Sequence, residues 1–570
     1  MKKTVSAVIA FLLIVLCLPL GAAARVSTST VIDTDGSDGY SGDYVVIYNP
    51  ATEASSSMST GNMTGLIETQ VGSANAGSAD PDIPYQIDVD ARLMAQAMEQ
   101  SFPKPPEAEK TSFNVGDTHT FMILNYSPDG MMMEFKVLAK GEHCYVWTPT
   151  STAANVYPLD SIDPDFAQMA ADMFDSKFDL MQSSFGEHSN GSQGDGRLNL
   201  LYYNIDDGWE PGQGYIGGYF YALDLYISGM PILNIDTYPG VHYVNAAGEN
   251  MDDISRTYNV IVHEYQHLIN FSQCGAADTW INECMSAAAE EICFPGTSVY
   301  PRIQTWTDHY YSQTEDWADP PEEVEYIPGY SVENGYSMYD WSNDLPTDDL
   351  LVLYAQVSLY AQYLYTQFGN TVFHSIMDHM STGDGLTANS FQSICQAATG
   401  VDPSTLTENF RVALTANTSP DEYGGIYSFA MQEGYVPEDY YGVQNLYDLL
   451  CPVVFTGSSC AIKGGGAICV KPVGGVYYPP SGAASGLKYI GVSRNCGPHD
   501  FLPGDVDMNG VVNSADALLA LRASMGLVTL TPAQIERGDM NGDGEVTSSD
   551  ALVILRMSMS LGKSAPRMKE

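Results

Sequence analysis

The spacing of apolar and polar positions separates a region without periodicity from a region of regular elements. Residues 25–110 are rich in Ser, Gly, Asp, Ala and Pro, a composition typical of loops and linkers. After residue 110, the stretches TFMILNY and MMMEFKVLAK alternate or run apolar, as strands do. RLNLLYYNI at 197–205 predicts a buried strand, and FAQMAADMFDSKFDLMQSSFG at 166–186 has the spacing of a helix. Strands and helices are therefore expected in the same region.

Further periodic segments follow toward the C-terminus. Helices are predicted near 254–272, 278–294 and 350–368, whereas residues 425–496 favour strands. About sixty residues at the C-terminal end form an internal repeat. A chain of 570 residues is too long for one ordinary domain, so three or four units of α+β class are expected.

The charge and the first residues predict an exported protein. The chain has 70 acidic and 23 basic residues, a net charge of −47, which argues against binding to nucleic acid or an anionic membrane. Lys2 and Lys3 precede a short apolar run, and small residues at 22–24 offer a cleavage site, as in a secretory signal. No other long apolar run exists, so the mature protein is not expected to be embedded in a membrane.

The cysteines do not predict a disulfide scaffold. Of ten cysteines, Cys17 lies in the signal, and the remaining nine are odd in number and widely spaced. Cys451, Cys460, Cys469 and Cys496 could form one or two bridges, or all could remain thiols.

HEYQH is the first candidate for chemistry. On the predicted helix at 254–272, His263 and His267 stand one turn apart on one face, so both imidazoles can reach one cation. Glu264 stands beside them, where it can hold a water without binding the metal. The alternative is a buried helix that carries two histidines by chance.

The next predicted helix supplies the third ligand that a catalytic zinc needs. Glu283 is expected to return to the histidines across a two-helix hairpin. Glu290 lies two turns later on the same face, suited to orient an imidazole. Glu290 or Asp278 as the third ligand is the minor alternative, and Glu283 could instead be a solvated carboxylate.

His263-Glu264-x-x-His267 followed by Trp280-Ile281-Asn282-Glu283 resembles the zincins of the gluzincin type. With VGDTHTF, GEHCYVW, DGRLNLLYYNIDD and GGYFYALD in that order, the region at 111–420 is similar to the hyicolysin-type secreted neutral metallopeptidases. The resemblance implies a zincin-like domain with a mixed sheet and active-site helices. It also implies one zinc, held by both histidines and Glu283, and peptide hydrolysis by a zinc-bound water that Glu264 activates.

The chain departs from the gluzincin pattern at two positions. Cys284 stands where a Gly commonly follows the Asn-Glu pair. Ala287 stands where thermolysin-like enzymes place an Asp, so Ser286 or Glu290 would have to orient the imidazole. Gluzincins usually take the donor to the oxyanion from a downstream Tyr or His, and several residues remain open for this role. They are Tyr336, Tyr339, Tyr354, Tyr360, Tyr363 and His374.

GDVDMNGVVNSADALLALR at 504–522 recurs as GDMNGDGEVTSSDALVILR at 538–556, offset by 34 throughout. Both copies place oxygen-bearing side chains at the spacing of a calcium loop, with Gly510 and Gly544 at the sharp turn. Two calcium ions are therefore predicted. The predicted ligands are Asp505, Asp507, Asn509, Val511 and Asp516 in the first loop, and Asp539, Asn541, Asp543, Glu545 and Asp550 in the second. Val511 and Glu545 would bind calcium through their backbone carbonyl oxygens.

Each loop ends in Asp and is followed by one helix carrying Leu-Arg, which resembles a type I dockerin. The resemblance implies binding to the cohesin domain of a scaffoldin, as in a cellulosome. The residues implied at that interface are Ser514, Ala515, Ser548 and Ser549.

The predicted organisation has five parts. They are a signal peptide at 1–24, a propeptide or flexible leader at 25–110, a zincin metallopeptidase domain at 111–424, a β-rich module at 425–500 and an all-α calcium-binding dockerin at 501–562. The predicted function is a secreted zinc endopeptidase acting on peptides or proteins, tethered to an extracellular scaffold. The alternative is a catalytically inactive adhesion or structural subunit on the same fold.

Overall fold

The structure, a computed structural model, describes most of the chain with gaps. The described residues are 30–68, 84–85, 111–123, 131–150, 160–209, 215–244, 248, 250–275, 277–294, 333–341, 347–380, 388–418, 422–429, 454–493, 504, 506, 514–525, 528, 530, 532–540 and 546–560. The predicted signal peptide lies outside them. Among the described helices, none is both long and apolar enough to cross a membrane.

Strands and helices are both present, so the fold is α+β. The strands are β1 Val31–Asp33, β2 Tyr40–Ser41, β3 Tyr44–Tyr48, β4 Ser57–Ser59, β5 Pro84–Tyr85, β6 Thr118–Ile123, β7 Met131–Lys140, β8 Cys144–Pro149, β9 Leu198–Tyr203, β10 Tyr215–Ile216, β11 Gly218–Phe220, β12 Ile232–Asp236, β13 His242–Val244, β14 Asn250–Asp252, β15 Ala461–Lys463, β16 Ala467–Val470, β17 Val476–Tyr477 and β18 Lys488–Ser493. The helices are α1 Pro164–Phe185, α2 Asp224–Ile227, α3 Tyr258–Cys274, α4 Thr279–Cys293, α5 Thr347–Phe368, α6 Thr371–Met380, α7 Ala388–Thr399, α8 Pro403–Ala416, α9 Ser514–Ser524, α10 Pro532–Gly538 and α11 Ser548–Ser560.

A six-stranded mixed sheet carries the central region, in the order β11-β12-β9-β8-β7-β6. β8, β9 and β12 pair in parallel, whereas β11, β7 and β6 are antiparallel to their neighbours. The parallel strands are buried at every residue, which explains why most of their side chains are apolar. Because β8 and β9 are parallel, the chain must cross over between them, and α1 lies in that connection.

Helices α3 and α4 pack against each other beside this sheet. Every residue of α3 from Val260 to Asn270 is buried, and so is every residue of α4 from Trp280 to Cys293. A helix that is buried on all sides normally carries apolar side chains, so the His, Glu and Gln residues here need a specific reason.

Two stretches far apart in the sequence form a single β unit. Its four-stranded sheet has the order β1-β18-β3-β16, so β3 lies between two strands from the C-terminal half. The strands β4 and β2 also pair with β15 and β17. Residues 31–59 therefore belong with 461–493, unlike the separate leader and module that composition suggested. The apolar run YVVIY explains why, because it is a five-residue strand within a Ser- and Gly-rich segment.

The C-terminal repeat forms a small helical unit. α9 and α11 pack against each other, and α10 contacts α11. Their shared core contains Val506, Ala520, Leu530 and Ile554. The two long helices occupy equivalent positions of the repeat, as the offset of 34 residues predicts.

Candidate metal centre and catalytic site

The two histidines of HEYQH lie side by side on α3. Their ring centroids are 4.7 Å apart and the ring planes stand at 83°. His263 is fully buried, and His267 is 7% exposed. The spacing of one helical turn therefore brings both imidazoles to one small volume.

Glu283 on α4 meets both rings. Its Oε2 lies 3.2 Å from His263 Nε2, and its Oε1 lies 3.5 Å from His267 Nε2. One ligand atom from each of the three residues lies within 4.8 Å of the other two, the only such group found among the described residues. Asp278, the minor alternative, lies outside this group, immediately before α4 begins.

The donor set fits a zinc ion. His263 Nε2 and both carboxylate oxygens of Glu283 are buried without a hydrogen-bond partner among the described residues. Buried polar atoms left in this state are unfavourable, and a shared cation would satisfy all of them. Two imidazole nitrogens and one carboxylate form a usual set of three protein ligands for catalytic zinc.

The electrostatics of the cluster also favour a cation. Burial alone would lower the pKa of both imidazoles, but the carboxylate of Glu283 outweighs it. With Glu290 also contributing, the pKa of His263 rises to about 10. Burial alone would raise the pKa of Glu283, but the two imidazoles lower it to about 2. The carboxylate of Glu283 therefore places negative charge against both rings, as a shared cation requires.

Glu264 lies beside the ligands with one oxygen held and one available. Its Oε2 accepts a hydrogen bond from the backbone N–H of Phe220, at 2.8 Å. Its Oε1 is buried without a hydrogen-bond partner among the described residues. Burial raises the pKa of this carboxyl. The contact with Phe220, on edge strand β11, is not foreseen from the sequence, since a backbone donor leaves no residue-type signal.

The outer nitrogen of each imidazole has its own partner. His263 Nδ1 lies 2.6 Å from Oε1 of Glu290, so the carboxylate predicted to orient an imidazole does contact one. His267 Nδ1 lies 3.0 Å from the hydroxyl of Ser286. Ser286 and Glu290 were alternatives in the sequence, whereas the structure uses each for a different ring.

Three of the candidate oxyanion donors have other partners within the described part of the chain. Tyr363 donates its hydroxyl hydrogen to the carbonyl of Ile426. The hydroxyl of Tyr339 accepts a hydrogen bond from Gln392. His374 is on the surface of α6, with its Nε2 3.8 Å from Asp378.

The predicted calcium ligands are described in part. Asp516 and Asp550 are buried at the first turn of α9 and α11. Asp550 accepts hydrogen bonds from the backbone N–H groups of Met540 and Thr547, and from the Thr547 hydroxyl. Burial opposes ionisation of Asp550, but these bonds outweigh it and lower its pKa. The aspartate at the end of the second loop is therefore held in its ionised form.

Most of the other residues predicted for the repeat lie outside the part of the chain that the structure describes. Those outside the described residues are Asp505, Asp507, Asn509, Val511, Asn541, Asp543 and Glu545. Asp539 directly follows α10 and is partly exposed. Ser514 and Ala515 begin α9, and Ser548 and Ser549 begin α11, where Ser548 is exposed. The predicted cohesin-contacting residues thus open the two equivalent helices.

Among the described residues, free thiols are found at Cys144, Cys274, Cys284, Cys293, Cys395 and Cys460. They include Cys284, which is fully buried and whose pKa burial raises well above its ordinary value. A thiol in this state is a poor nucleophile, so the cysteine next to Glu283 acts as a packed side chain.

Comparison with known proteins supports two predictions, a metalloprotease region and a C-terminal dockerin. Residues 503–557 match the family of the Dockerin type I domain. The chain is also 29% identical over 251 residues to the neutral metalloprotease ShpI of Staphylococcus hyicus. That alignment covers 41% of this chain and 50% of ShpI, so the chain spans about half the length of the relative it matches. The resemblance to a metalloprotease with a C-terminal dockerin is thereby confirmed.

Proposed function

We propose that this protein is an exported zinc endopeptidase that its dockerin tethers to a cohesin on an extracellular scaffold. The observation that carries the proposal is the convergence of His263, His267 and Glu283, with Glu264 beside them. The likeness to a neutral metalloprotease supports it. The proposed organisation keeps the predicted signal peptide, metallopeptidase domain and dockerin, and it assigns the strands of residues 31–59 to the β-rich module.

The residues suggest a division of labour in peptide hydrolysis. Zinc, when bound, supplies Lewis-acid chemistry that polarises a carbonyl and makes water acidic. Glu264 accepts the proton of the attacking water at its free Oε1 and later returns it to the leaving amine. The backbone N–H of Phe220 fixes the other oxygen, so the carboxylate keeps its orientation while the proton moves.

Burial matters to this proton transfer. A general base works best when its pKa lies near the pH of the reaction, and burial raises the pKa of Glu264 from its ordinary value. Glu283 keeps its negative charge, because its pKa is low. Two carboxylates from consecutive helices can thus serve as base and ligand.

A single set of variants tests the proposal. Residues 25–570 are produced with zinc and calcium, bound zinc is counted, and casein cleavage is measured for wild type, Glu264→Gln and Glu142→Gln. Glu142 is exposed, so its variant is the matched control. We expect one zinc in each protein, wild-type cleavage for Glu142→Gln, and a loss of about 10²–10⁴-fold for Glu264→Gln.

Other outcomes would redirect the proposal. Full activity of Glu264→Gln would remove this residue from the mechanism. Zinc without cleavage would favour the inactive subunit. Capture on a type I cohesin with calcium, and its loss with a chelator, tests the tether separately.

A further inference from the structure

Behind His267 lies a network of uncharged buried side chains. The Ser286 hydroxyl is 3.0 Å from His267 Nδ1 and 2.9 Å from Oε1 of Gln266. Gln266 and Asn270 exchange two amide hydrogen bonds, of 2.9 Å and 3.0 Å. The Asn270 amide is also 3.3 Å from Oδ1 of Asn282. Ser286, Gln266, Asn270 and Asn282 are each at most 5% exposed.

The network has a direction because a hydroxyl carries one hydrogen. Gln266 Oε1 can only accept, so Ser286 gives its hydrogen to Gln266. The oxygen of Ser286 is then left to accept from His267 Nδ1–H. Asn270 sets which atom of Gln266 faces the serine, because its amide nitrogen donates both to Oε1 of Gln266 and to Oδ1 of Asn282.

This direction decides the tautomer of the ring. With hydrogen on Nδ1, the neutral imidazole of His267 presents a lone pair at Nε2. That nitrogen is the one that faces Glu283. The partner of the second ring nitrogen normally sets the tautomer and orientation of a metal-binding histidine.

Building on the proposed zinc site, we infer that Ser286, held by Gln266, is a positioning residue that fixes the ring and tautomer of His267. One face of α4 then supplies three functions at intervals of three and four residues. Glu283 is the ligand, Ser286 orients His267, and Glu290 orients His263.

His263 is oriented by a carboxylate and His267 by uncharged side chains. The number of carboxylates already buried in the site explains this difference. Glu264, Glu283 and Glu290 are already buried within this site. A fourth buried carboxylate behind His267 would add the desolvation of another charge. A chain of neutral donors and acceptors fixes the ring without that charge.

The inference is tested on the full chain with Ser286→Ala, Gln266→Met and the control Ser184→Ala. Ser184 is equally buried in a helix, but its hydroxyl accepts a hydrogen bond from Asn370 instead. The zinc dissociation constant is measured by competition with a chelator. The d–d absorption spectrum of the cobalt-substituted proteins is recorded beside it, because it reports ligand geometry.

We expect Ser286→Ala to weaken zinc binding by roughly 10- to 100-fold and to change the cobalt spectrum. Gln266→Met should do the same to a smaller degree, since Ser286 keeps its hydroxyl but loses its fixed direction. Ser184→Ala should match wild type in both measurements.

The outcomes separate this inference from the proposed function. If wild type binds no zinc, both fail. If wild type binds zinc and both Ser286→Ala and Gln266→Met retain its affinity and cobalt spectrum, the inference fails while the zinc site stands. Should Ser286→Ala not fold, Gln266→Met alone decides by the same two measurements.

Discussion

Strand β3 is the basis of a stability prediction that does not depend on catalysis. Ile47 lies in this central strand, between partners from the C-terminal half, and is fully buried. Its side chain packs in a cluster with Ile462, Ile468 and Val470. On the opposite face, the hydroxyl of Tyr48 donates a 2.6 Å hydrogen bond to Glu408 of α8. A leader without a fixed fold would have none of these contacts.

The size of the effect follows from burial. Truncating a fully buried isoleucine to alanine removes about 2–5 kcal/mol from the free energy of unfolding, and truncating it to valine removes about 0.5–1.5 kcal/mol. For a unit of 150–250 residues, each kcal/mol lowers the melting temperature by about 2–4 °C. Ile47→Ala should therefore lower the transition that includes the β unit by on the order of 10 °C. Val31→Ala, at a position 54% exposed in the same sheet, should change it little.

The assay combines calorimetry with cleavage. Melting curves of Ile47→Ala, Ile47→Val and Val31→Ala are compared with wild type. A protease site is then introduced within residues 69–83 and cut. We expect residues 30–68 to stay with the remainder on gel filtration and to separate only under denaturing conditions. Release of this fragment, or an unchanged melting temperature for Ile47→Ala, would refute the placement of β3.

Two further predictions concern carboxyl groups. Burial raises the pKa of Asp224 to about 8, so its contribution to stability is complete below about pH 4 and is lost as the pH rises toward 8. The melting temperature of Asp224→Asn should therefore rise relative to that of wild type as the pH increases from 5 to 8. The corresponding change in the free energy of unfolding is at most about 1.4 kcal/mol per unit of pKa shift, and a pH-independent difference would contradict the prediction. Asp550→Ala removes the carboxylate that accepts from Met540 and Thr547, so calorimetric titration should find one calcium ion fewer than in wild type. Asp516→Ala should lose the other ion, and unchanged calcium counts would exclude both aspartates as ligands.

Local patterns made much of the fold predictable. The spacing of apolar residues predicts a helix at 166–186 and another at 278–294, and the structure has helices at Pro164–Phe185 and Thr279–Cys293. The predicted helix at 254–272 is a short 3-10 turn followed by α3. The composition of residues 25–110 concealed β3, because a five-residue strand has little weight in a segment of that length. The helices α6, α7 and α8 were not predicted.

The sequence by itself determined which side chains could share one cation and where the repeat begins again. His263 and His267 are one helical turn apart, and the two loops are 34 residues apart. Both are spacings along the chain, and regular backbone geometry turns them directly into relative positions in space. Only the tertiary structure decided which partner each imidazole has, and that Phe220 holds Glu264. It also decided that β3 pairs with β18, more than four hundred residues away. These contacts join segments whose approach depends on packing of the whole chain, and no local spacing encodes it.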